Sequence, residues 1–309
     1  VTRAQYFGEM KLTAKAVDES TLELVTDKPV PILPAYMSWM LLPSPKTPAE
    51  QSAQIPVGTG PYKFGTYKAG QEIVLEKNDA WWGPKLPIDV VRYLWRKESS
   101  VRAAMIAIGE ADLTPEIAEQ DATDPKMDVT YQNAETAFIR FDMKYPPLDD
   151  RRVRLAMNHA INLEAMRGTV FSKSSLPATN VVIAGISGHN PNLKPFAYDP
   201  AKARQLLAEA KAAGVPVDKE IRFFGRTNFW PNNSEPLEAM QQMWTAVGLT
   251  TKIEMMDATN WRKFYFKPYS DNVGPNVIQI RHNNQGGDAV FSMHGRFACQ
   301  GTASAMCNP

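Results

Sequence analysis

The chain has 309 residues, of which 44% are apolar and 22% charged, and its formal net charge at neutral pH is +1. This length predicts a globular protein of about two domains, and the near-neutral charge gives no argument for a nucleic-acid partner. The longest apolar run, near residues 37–42, is far too short to span a bilayer.

The first 96 residues are rich in short apolar runs typical of β-strands. Residues 11–17 and 21–26 flank an Asp-Glu-Ser turn and predict a hairpin. The proline-dotted stretch 28–48 predicts an irregular loop with at most one short helix. Residues 90–97 predict a further apolar strand.

A second hairpin is predicted within residues 56–83, where Val-Gly-Thr-Gly-Pro-Tyr opens a turn and two apolar runs follow. A phosphate-binding loop would lead its glycines into a helix, whereas here Pro61 and a β-rich run come next. Trp81 and Trp82 could form a ligand platform or pack against the fold, and packing is the favoured interpretation.

From Ser99 onward, helices alternate with strands, which is typical of an α/β region. Ser99 or Ser100 is expected to cap a helix that Gly109 ends. The acidic pair at 149–150 and Asp199 are expected to start two further helices. Such carboxylates at helix starts are caps more often than catalytic groups.

Residues 221–224, 234–247 and 251–256 read as a strand, a helix and a strand. This order predicts a βαβ unit with parallel strands, and the Met and Trp stripe of its helix is expected in the core. Residues 276–281 predict another buried strand.

Four segments, in order along the chain, carry a family resemblance. They include GTGPYKF at 58–64, SSVRAAM at 99–105, PPLDDRRVR at 146–154 and YDPAKAR at 198–204. Together they closely resemble the extracytoplasmic solute-binding proteins of ABC importers, in the peptide/nickel-binding family (family 5).

The resemblance implies a mixed α/β, two-lobed fold like that of periplasmic binding proteins, with one lobe incomplete. Residues 1–96 would be the β-rich part of lobe I, 97–275 an α/β lobe II, and 276–309 a crossing strand and return into lobe I. Members of the family are longer and carry an export signal, whereas this chain opens at Val1-Thr2-Arg3. It is therefore expected to be a fragment of an exported protein.

The loop after the strand at 221–224 is the first predicted ligand site. In peptide-binding relatives an arginine followed by an aromatic residue engages the ligand's carboxylate here, and Arg226 with Phe229 or Trp230 matches that pattern. A guanidinium can bind a carboxylate through two hydrogen bonds, and a ring can cover an apolar side chain. The alternative is that Arg226 pairs with a neighbouring acid on the surface.

The second predicted ligand loop follows the strand at 276–281 and comprises the following residues: His282, Asn283, Asn284 and Asp288. Peptide-binding relatives carry a tryptophan and an aspartate in this region, and the aspartate pairs with the peptide's amino group. Here Ile280 and Asn283 stand at those positions, which leaves Asp288 as the loop's only acid. A hydroxyl-rich, modified or guanidino ligand is therefore an alternative to a peptide with an unmodified amino group. His282 lacks companions at metal-ligand spacing, and no metal is predicted.

Two cysteines, Cys299 and Cys307, lie near the end of the chain. In an oxidising periplasm they are expected to close a short disulfide, and the alternative is a pair of reduced thiols. Neither a Cys-x-x-Cys motif nor a suitably spaced histidine pair indicates zinc.

No catalytic constellation or cofactor motif occurs, and the segment 185–189 lacks the Gly-x-Ser-x-Gly spacing of a nucleophile elbow. The sequence therefore predicts a non-enzymatic protein without a cofactor. The family resemblance implies that the protein is monomeric and periplasmic, captures a peptide or peptide-like solute between two lobes, and delivers it to a membrane permease of an ABC transporter. The alternative is a periplasmic receptor that binds a hydroxyl-rich, opine-like or guanidino solute for uptake or chemoreceptor signalling.

Overall fold

The computed structural model describes residues 11–38, 40, 44, 46–48, 50–51, 54–266, 269–270, 273–284 and 286–297. Two compact units make up the chain, one formed by residues 1–36 with 124–309 and the other by residues 37–123. No helix within the described ranges is long and apolar enough to cross a membrane.

The chain begins with the predicted hairpin, in which β1 (Leu12–Ala16) pairs antiparallel with β2 (Leu22–Thr26). The hairpin prediction is confirmed. The short helix α1 (Leu33–Met37) follows, and within the described residues of the proline-dotted stretch it agrees with the one short helix that was allowed.

The unit of residues 37–123 contains an antiparallel sheet of β3 (Tyr62–Lys68), β4 (Glu72–Lys77) and β5 (Val90–Leu94), in that order. The β3–β4 pair confirms the second predicted hairpin. Trp82 is 82% exposed and its ring lies 4.6 Å from that of Trp81. Trp82 is therefore not buried against the described residues of the fold, and the prediction that it packs there is wrong.

Helix α2 (Ser99–Ala107) lies in the same unit, and Gly109, at φ +76°, follows its end as predicted. The predicted serine cap is wrong, because Glu98 occupies the N-cap position and no side chain caps the helix. The Ser99 hydroxyl instead accepts a hydrogen bond from the backbone N–H of Ala118 at 2.6 Å. A short 3₁₀ turn, Glu119–Asp121, comes next.

The larger unit is built on a four-stranded sheet in the order β6-β9-β7-β8, with the following bounds: β6 (Glu135–Phe141), β7 (Ile221–Arg226), β8 (Thr251–Met256) and β9 (Asn276–Asn283). Strand β7 is parallel to both β8 and β9, whereas β6 is antiparallel to β9. The predicted βαβ unit, whose strands are β7 and β8, is confirmed.

Six helices accompany this sheet in the described residues, as follows: α3 (Arg151–His159), α4 (Leu163–Met166), α5 (Pro200–Ala212), α6 (Glu235–Ala246), α7 (Ala258–Tyr265) and α8 (Ala289–Arg296). The carboxylates of Asp150 and Asp199 accept hydrogen bonds from backbone N–H groups in the first turns of α3 and α5, at 2.7 and 2.8 Å. Their predicted role as helix caps is confirmed.

Strands β7 and β9 are buried on both faces. Phe223 and Val277 belong to a core cluster with α3, α5 and α6, while Phe224 and Ile278 belong to a second cluster with α7. Successive side chains of a strand point to opposite faces, so neighbouring residues enter different clusters. The helices packed on both faces therefore fix the position and direction of the ends of these strands.

Gly225 allows the end of β7 to approach α6. A Cβ atom at this position would overlap the Met255 sulfur and lie 2.6 Å from Cδ2 of Leu237. A side chain would push the strand away from the helix. The absence of one lets the chain reach Arg226 without distortion.

Candidate ligand-binding site

The two sequence stretches predicted to bind ligand meet at one edge of the four-stranded sheet. Arg226 is the last residue of β7 and Asn283 the last of β9. Parallel strands end at the same edge, and β6, which is antiparallel to β9, begins there at Glu135. This edge, beyond the carboxyl ends of parallel strands, is where α/β folds commonly bind ligands.

Two buried amides, which the sequence analysis missed, hold the loop after β7. Asn233 donates a hydrogen bond to the backbone oxygen of Arg226 at 2.7 Å and accepts one from the N–H of Phe229 at 3.2 Å. Gln279 on β9 donates to the backbone oxygen of Asn233 at 3.0 Å. Because both amides are less than 10% exposed, these bonds are shielded from water and fix the loop relative to the sheet.

Arg226 has no acidic partner among the described residues. Its guanidinium carbon lies 4.8 Å from the ring centroid of Phe229 and 5.8 Å from that of Trp261. Its Nε atom is buried and has no hydrogen-bond partner within the described ranges. Pairing with a neighbouring acid, the alternative interpretation of this residue, is therefore not what the structure shows.

Burial lowers the pKa of Arg226, and the positive charges of Arg262 and Arg281 lower it further. The guanidinium nevertheless stays protonated at physiological pH, because arginine begins from a very high pKa. An incoming anion would supply both the missing hydrogen-bond acceptor and the missing negative charge.

A second arginine lies near the Phe229 ring, since the guanidinium of Arg281, on β9, is 5.4 Å from the centroid of that ring. Trp230 lies 5.2 Å from Phe229, and Trp261 on α7 meets Phe229 edge to face at 5.5 Å. Trp261 extends the aromatic group, yet the sequence analysis did not select it. The signal was its place in the helix directly after β8.

Arg281 connects three elements at this edge. Its Nη1 donates to the backbone oxygen of Phe229 at 3.1 Å, and its Nε lies 3.4 Å from a carboxylate oxygen of Glu135. Glu135 stands opposite Asn283 in the β6–β9 register. The structure therefore places an acid beside the position where the sequence analysis expected only an amide.

His282 and Asn284 lie beneath the surface, at 1% and 2% exposure. The His282 Nε2 is 2.7 Å from the Ser292 hydroxyl, which donates to the side-chain oxygen of Asn284 at 3.2 Å. The backbone and side-chain N–H groups of Asn284 both reach the oxygen of Ala134, at 2.8 and 3.2 Å. This hydrogen-bond chain joins the start of β6, the end of β9 and α8.

Burial lowers the pKa of His282 to about 4, so the ring is neutral at physiological pH. Since the Ser292 hydroxyl donates to Asn284, it accepts from His282, and the ring proton lies on Nε2. In this geometry His282 and Asn284 stabilise the end of β9 through buried hydrogen bonds. A direct contact of either residue with ligand stays a prediction.

Asp288 caps α8. Its carboxylate accepts a hydrogen bond from the N–H of Val290 at 2.8 Å, and its backbone forms a bridge with Ser187. Burial raises the pKa of Tyr36, and the negative charge of Asp288 adds to that effect. A carboxylate in a cap keeps lone pairs for another donor, so a ligand contact of Asp288 also stays a prediction.

Within the described ranges, no three His, Cys, Asp or Glu side chains are grouped so that they could hold a metal ion. The two cysteines of the predicted disulfide, Cys299 and Cys307, lie outside the described residues.

Comparison with known proteins gives one family over nearly the whole chain. Residues 2–303 match the model of the bacterial extracellular solute-binding proteins, family 5 Middle. The chain is 28% identical to heme-binding protein A of Haemophilus influenzae, with 84% of this chain and 50% of that protein covered. It is also 28% identical to di/tripeptide-binding protein 1 of Pseudomonas aeruginosa, with 82% of this chain and 51% of that protein covered.

Among solved structures, the dipeptide-binding protein of a Pseudoalteromonas species, in complex with Met-Leu, matches with a TM-score of 0.82 at 19% identity. The match covers 100% of this chain and 64% of that one, and it confirms the predicted mixed α/β periplasmic-binding-protein fold. The chain spans about half the length of the curated relatives it matches. With the family model matched over this extent and the fold shared, the chain belongs to family 5 of the bacterial extracellular solute-binding proteins.

Proposed function

We propose that this protein is the substrate-binding component of an ABC importer, which captures a peptide or peptide-like solute and delivers it to a membrane permease. The family membership and the relatives named for dipeptides and tripeptides support this assignment. A periplasmic location, a monomeric state and the absence of catalysis belong to the same proposal.

The observation that carries the proposal is the Arg226 guanidinium, which has no acidic partner among the described residues. Its Nε is buried without a hydrogen-bond partner in the same part of the chain, and two aromatic rings lie against the group. A buried donor without an acceptor costs about 1–3 kcal/mol, and an arriving carboxylate removes that cost. The planar guanidinium also suits a carboxylate because two parallel hydrogen bonds can form.

Glu135 and Asn283 are the proposed partners for the cationic end of such a solute. Glu135 makes a single long contact with Arg281, at 3.4 Å, and its side chain is 28% exposed. Its carboxylate therefore retains acceptor capacity for an ammonium group, which Asn283, opposite it on β9, could also contact.

The lobe boundaries at residues 96–97 and 275–276, and a cleft between the lobes, remain predictions within this proposal. Closure around a solute would favour ligands that make better contacts in the closed state than in the open one.

A periplasmic receptor for a non-peptide solute is the second candidate. Asn283 in place of an acid favours it, as does the relative named for heme binding. The same edge of the sheet would then hold an anionic group of that solute at Arg226, for uptake or for chemoreceptor signalling.

The two candidates are separated by native mass spectrometry of the full-length gene product as purified, followed by denaturation to release any bound molecule. A released peptide supports the importer, and a released non-peptide compound supports the second candidate. If nothing is released, calorimetric titration with a panel of dipeptides and tripeptides decides, and no binding at millimolar concentration would refute peptide capture.

A further inference from the structure

Helix α7 crosses one face of the four-stranded sheet from edge to edge. It begins directly after β8, one edge strand, and its last turn meets Arg140 on β6, the other edge strand. Between these ends, Trp261 Nε1 donates to the backbone oxygen of Gln279 on β9 at 3.2 Å. An eight-residue helix is about 12 Å long and four neighbouring strands extend over about 14 Å, so the two dimensions match.

Arg140 binds the C-terminal end of this helix. Its Nη2 donates to the backbone oxygen of Phe264 at 2.5 Å, and its Nη1 donates to that of Tyr265 at 3.2 Å. The last four carbonyl groups of a helix have no partner within the helix. Arg140 supplies donors for two of them, and its positive charge is favourable at the negative end of the helix dipole.

A series of ring contacts continues from Arg140 to the ligand site. The guanidinium carbon of Arg140 lies 5.5 Å from the centroid of the Tyr265 ring. Tyr265 stacks on Trp261, with ring centroids 4.4 Å apart and 23° between the planes. Trp261 meets Phe229 edge to face at 5.5 Å and lies 5.8 Å from the guanidinium carbon of Arg226. A displacement of the helix end would therefore shift a ring that lies against Arg226.

The surroundings of Arg140 give its charge no other evident purpose. Arg140 stands opposite Ile278 in the β6–β9 register, and Ile278 belongs with Trp261 and Tyr265 to a buried apolar cluster. A charged group beside such a cluster is costly unless it is hydrogen-bonded. The two carbonyl groups of α7 meet that need, and an apolar residue at this position would leave both without this donor.

We propose that Arg140 is a positioning residue for the ligand site, which acts by holding Trp261 against the Arg226 guanidinium. This inference rests on the proposed function and adds to it a residue that contacts no ligand. An arginine that is already held in place loses less freedom on binding than a mobile one does. Loosening the end of α7 should therefore weaken binding although every group that contacts the solute is still present.

The test is Arg140→Gln in the full-length gene product, measured in two ways. Isothermal titration with a dipeptide that the unmodified protein binds should give about two- to tenfold weaker binding, the range expected for ordering one loosened side chain. With isotopically labelled tryptophan, the indole N–H resonance of Trp261 should shift or broaden. That of Trp244, which donates to the backbone oxygen of Met157 at 3.0 Å, should not change. Trp261→Phe and Trp244→Phe assign the two resonances.

Arg154→Gln is the matched control. Arg154, on α3, also donates to two backbone oxygens, those of Leu148 and Asp149, both at 2.7 Å. Leu148 belongs to the core cluster with α3, α5 and α6, which lies on the other face of the sheet from α7. This variant should lower the midpoint of thermal unfolding and leave both the dipeptide affinity and the Trp261 resonance unchanged.

An unchanged Trp261 resonance in Arg140→Gln would overturn the inference and leave the proposed function standing. A shifted resonance with unchanged affinity would overturn it as well, because the position of the ring would then not matter for binding. If Arg140→Gln does not fold, Arg140→Lys, which keeps a charged donor at the helix end, should show both changes at smaller size and is judged by the same two outcomes. If the unmodified protein binds no dipeptide or tripeptide at millimolar concentration, the proposed function fails and the inference fails with it.

Discussion

Replacing Arg226 with alanine removes the group on which the proposed site depends. The guanidinium has no acidic partner among the described residues and leaves Nε without an acceptor. Its contribution to folding is therefore limited to stacking on Phe229 and Trp261, at 4.8 and 5.8 Å. Its contribution to binding is a charge-assisted hydrogen bond in a partly buried setting.

The expected loss of binding is larger than the expected loss of stability. A hydrogen bond to a charged group is worth about 1.5–3 kcal/mol, which corresponds to roughly 10- to 150-fold weaker binding of a carboxylate ligand. Two cation–π contacts are worth about 0.5–1 kcal/mol each at exposed sites. Part of this is recovered when the repulsion from Arg262 and Arg281 disappears. The midpoint of thermal unfolding should therefore change little.

Arg222→Ala is the matched control on the same strand. Arg222 forms two hydrogen bonds with the carboxylate of Glu254, at 2.8 and 2.6 Å, and its guanidinium lies 4.7 Å from the ring of Phe224. Losing this two-bond pair is expected to lower the free energy of unfolding by about 1 kcal/mol without changing ligand affinity. One arginine of the strand then affects binding, and the other affects stability.

Isothermal titration of both variants, with thermal denaturation beside it, measures the two quantities. The assay uses the full-length gene product and a dipeptide that the unmodified protein binds. Unchanged affinity in Arg226→Ala would refute the reasoning, because an unpaired guanidinium at the ligand site would then have no role in binding. An equal loss of affinity in Arg222→Ala would show that the effect is general destabilisation.

The remaining predictions concern the buried ring of His282, the close packing at Gly225 and the proposed contact of Glu135 with a ligand's amino group. His282 has a pKa of about 4, against an ordinary value near 6.5. The free energy of unfolding should therefore be highest above pH 6.5 and fall by roughly 3 kcal/mol as the pH decreases towards 4. A chemical denaturation series in which His282→Gln shows the same acid dependence would contradict this. Gly225→Val should destabilise the fold by more than about 2 kcal/mol, because the new side chain would overlap Met255 and Leu237, and urea denaturation measures the loss. Glu135→Gln should weaken the binding of a peptide with a free amino group several-fold and leave its N-acetylated form unaffected; equal losses for both peptides in calorimetry would argue against an amine contact.

Strands β7 and β9 were predictable because they are covered on both faces, whereas β6 was not predicted. A strand buried on both sides is a continuous apolar run, as in Phe223 with Phe224 and in Val277 with Ile278. The helix starts at Asp150 and Asp199 were predictable for a local reason, since a capping carboxylate acts on N–H groups only two or three residues away. The predicted serine cap was wrong because the Ser99 hydroxyl accepts a hydrogen bond from Ala118, which lies outside its helix.

The site itself was only partly predictable. The loop after β7 follows from the rule that ligands bind at the carboxyl ends of parallel strands. The family resemblance then selected Arg226, with Phe229 or Trp230, within that loop. Trp261 and Glu135 come from other elements, and their places depend on how α7 packs and on the register of β6 against β9. No local pattern indicates Glu135, and the local signal for Trp261 is limited to its place in the helix directly after β8.

The polar residues at the end of β9 show how the two faces of a strand give neighbouring residues different roles. Arg281 and Asn283 share one face of β9. Arg281 contacts Phe229 and Glu135 there, and Asn283 stands opposite Glu135 in the strand register. His282 lies on the opposite face, where it meets Ser292 of α8. The alternation of side chains thus separates residues that touch the proposed ligand region from residues that hold the loop beneath it. Because the acid of this edge, Glu135, is already in contact with Arg281, a solute that binds here must offer its cationic group in competition with an arginine. That competition weakens amine recognition, and it favours solutes whose affinity comes chiefly from their anionic groups.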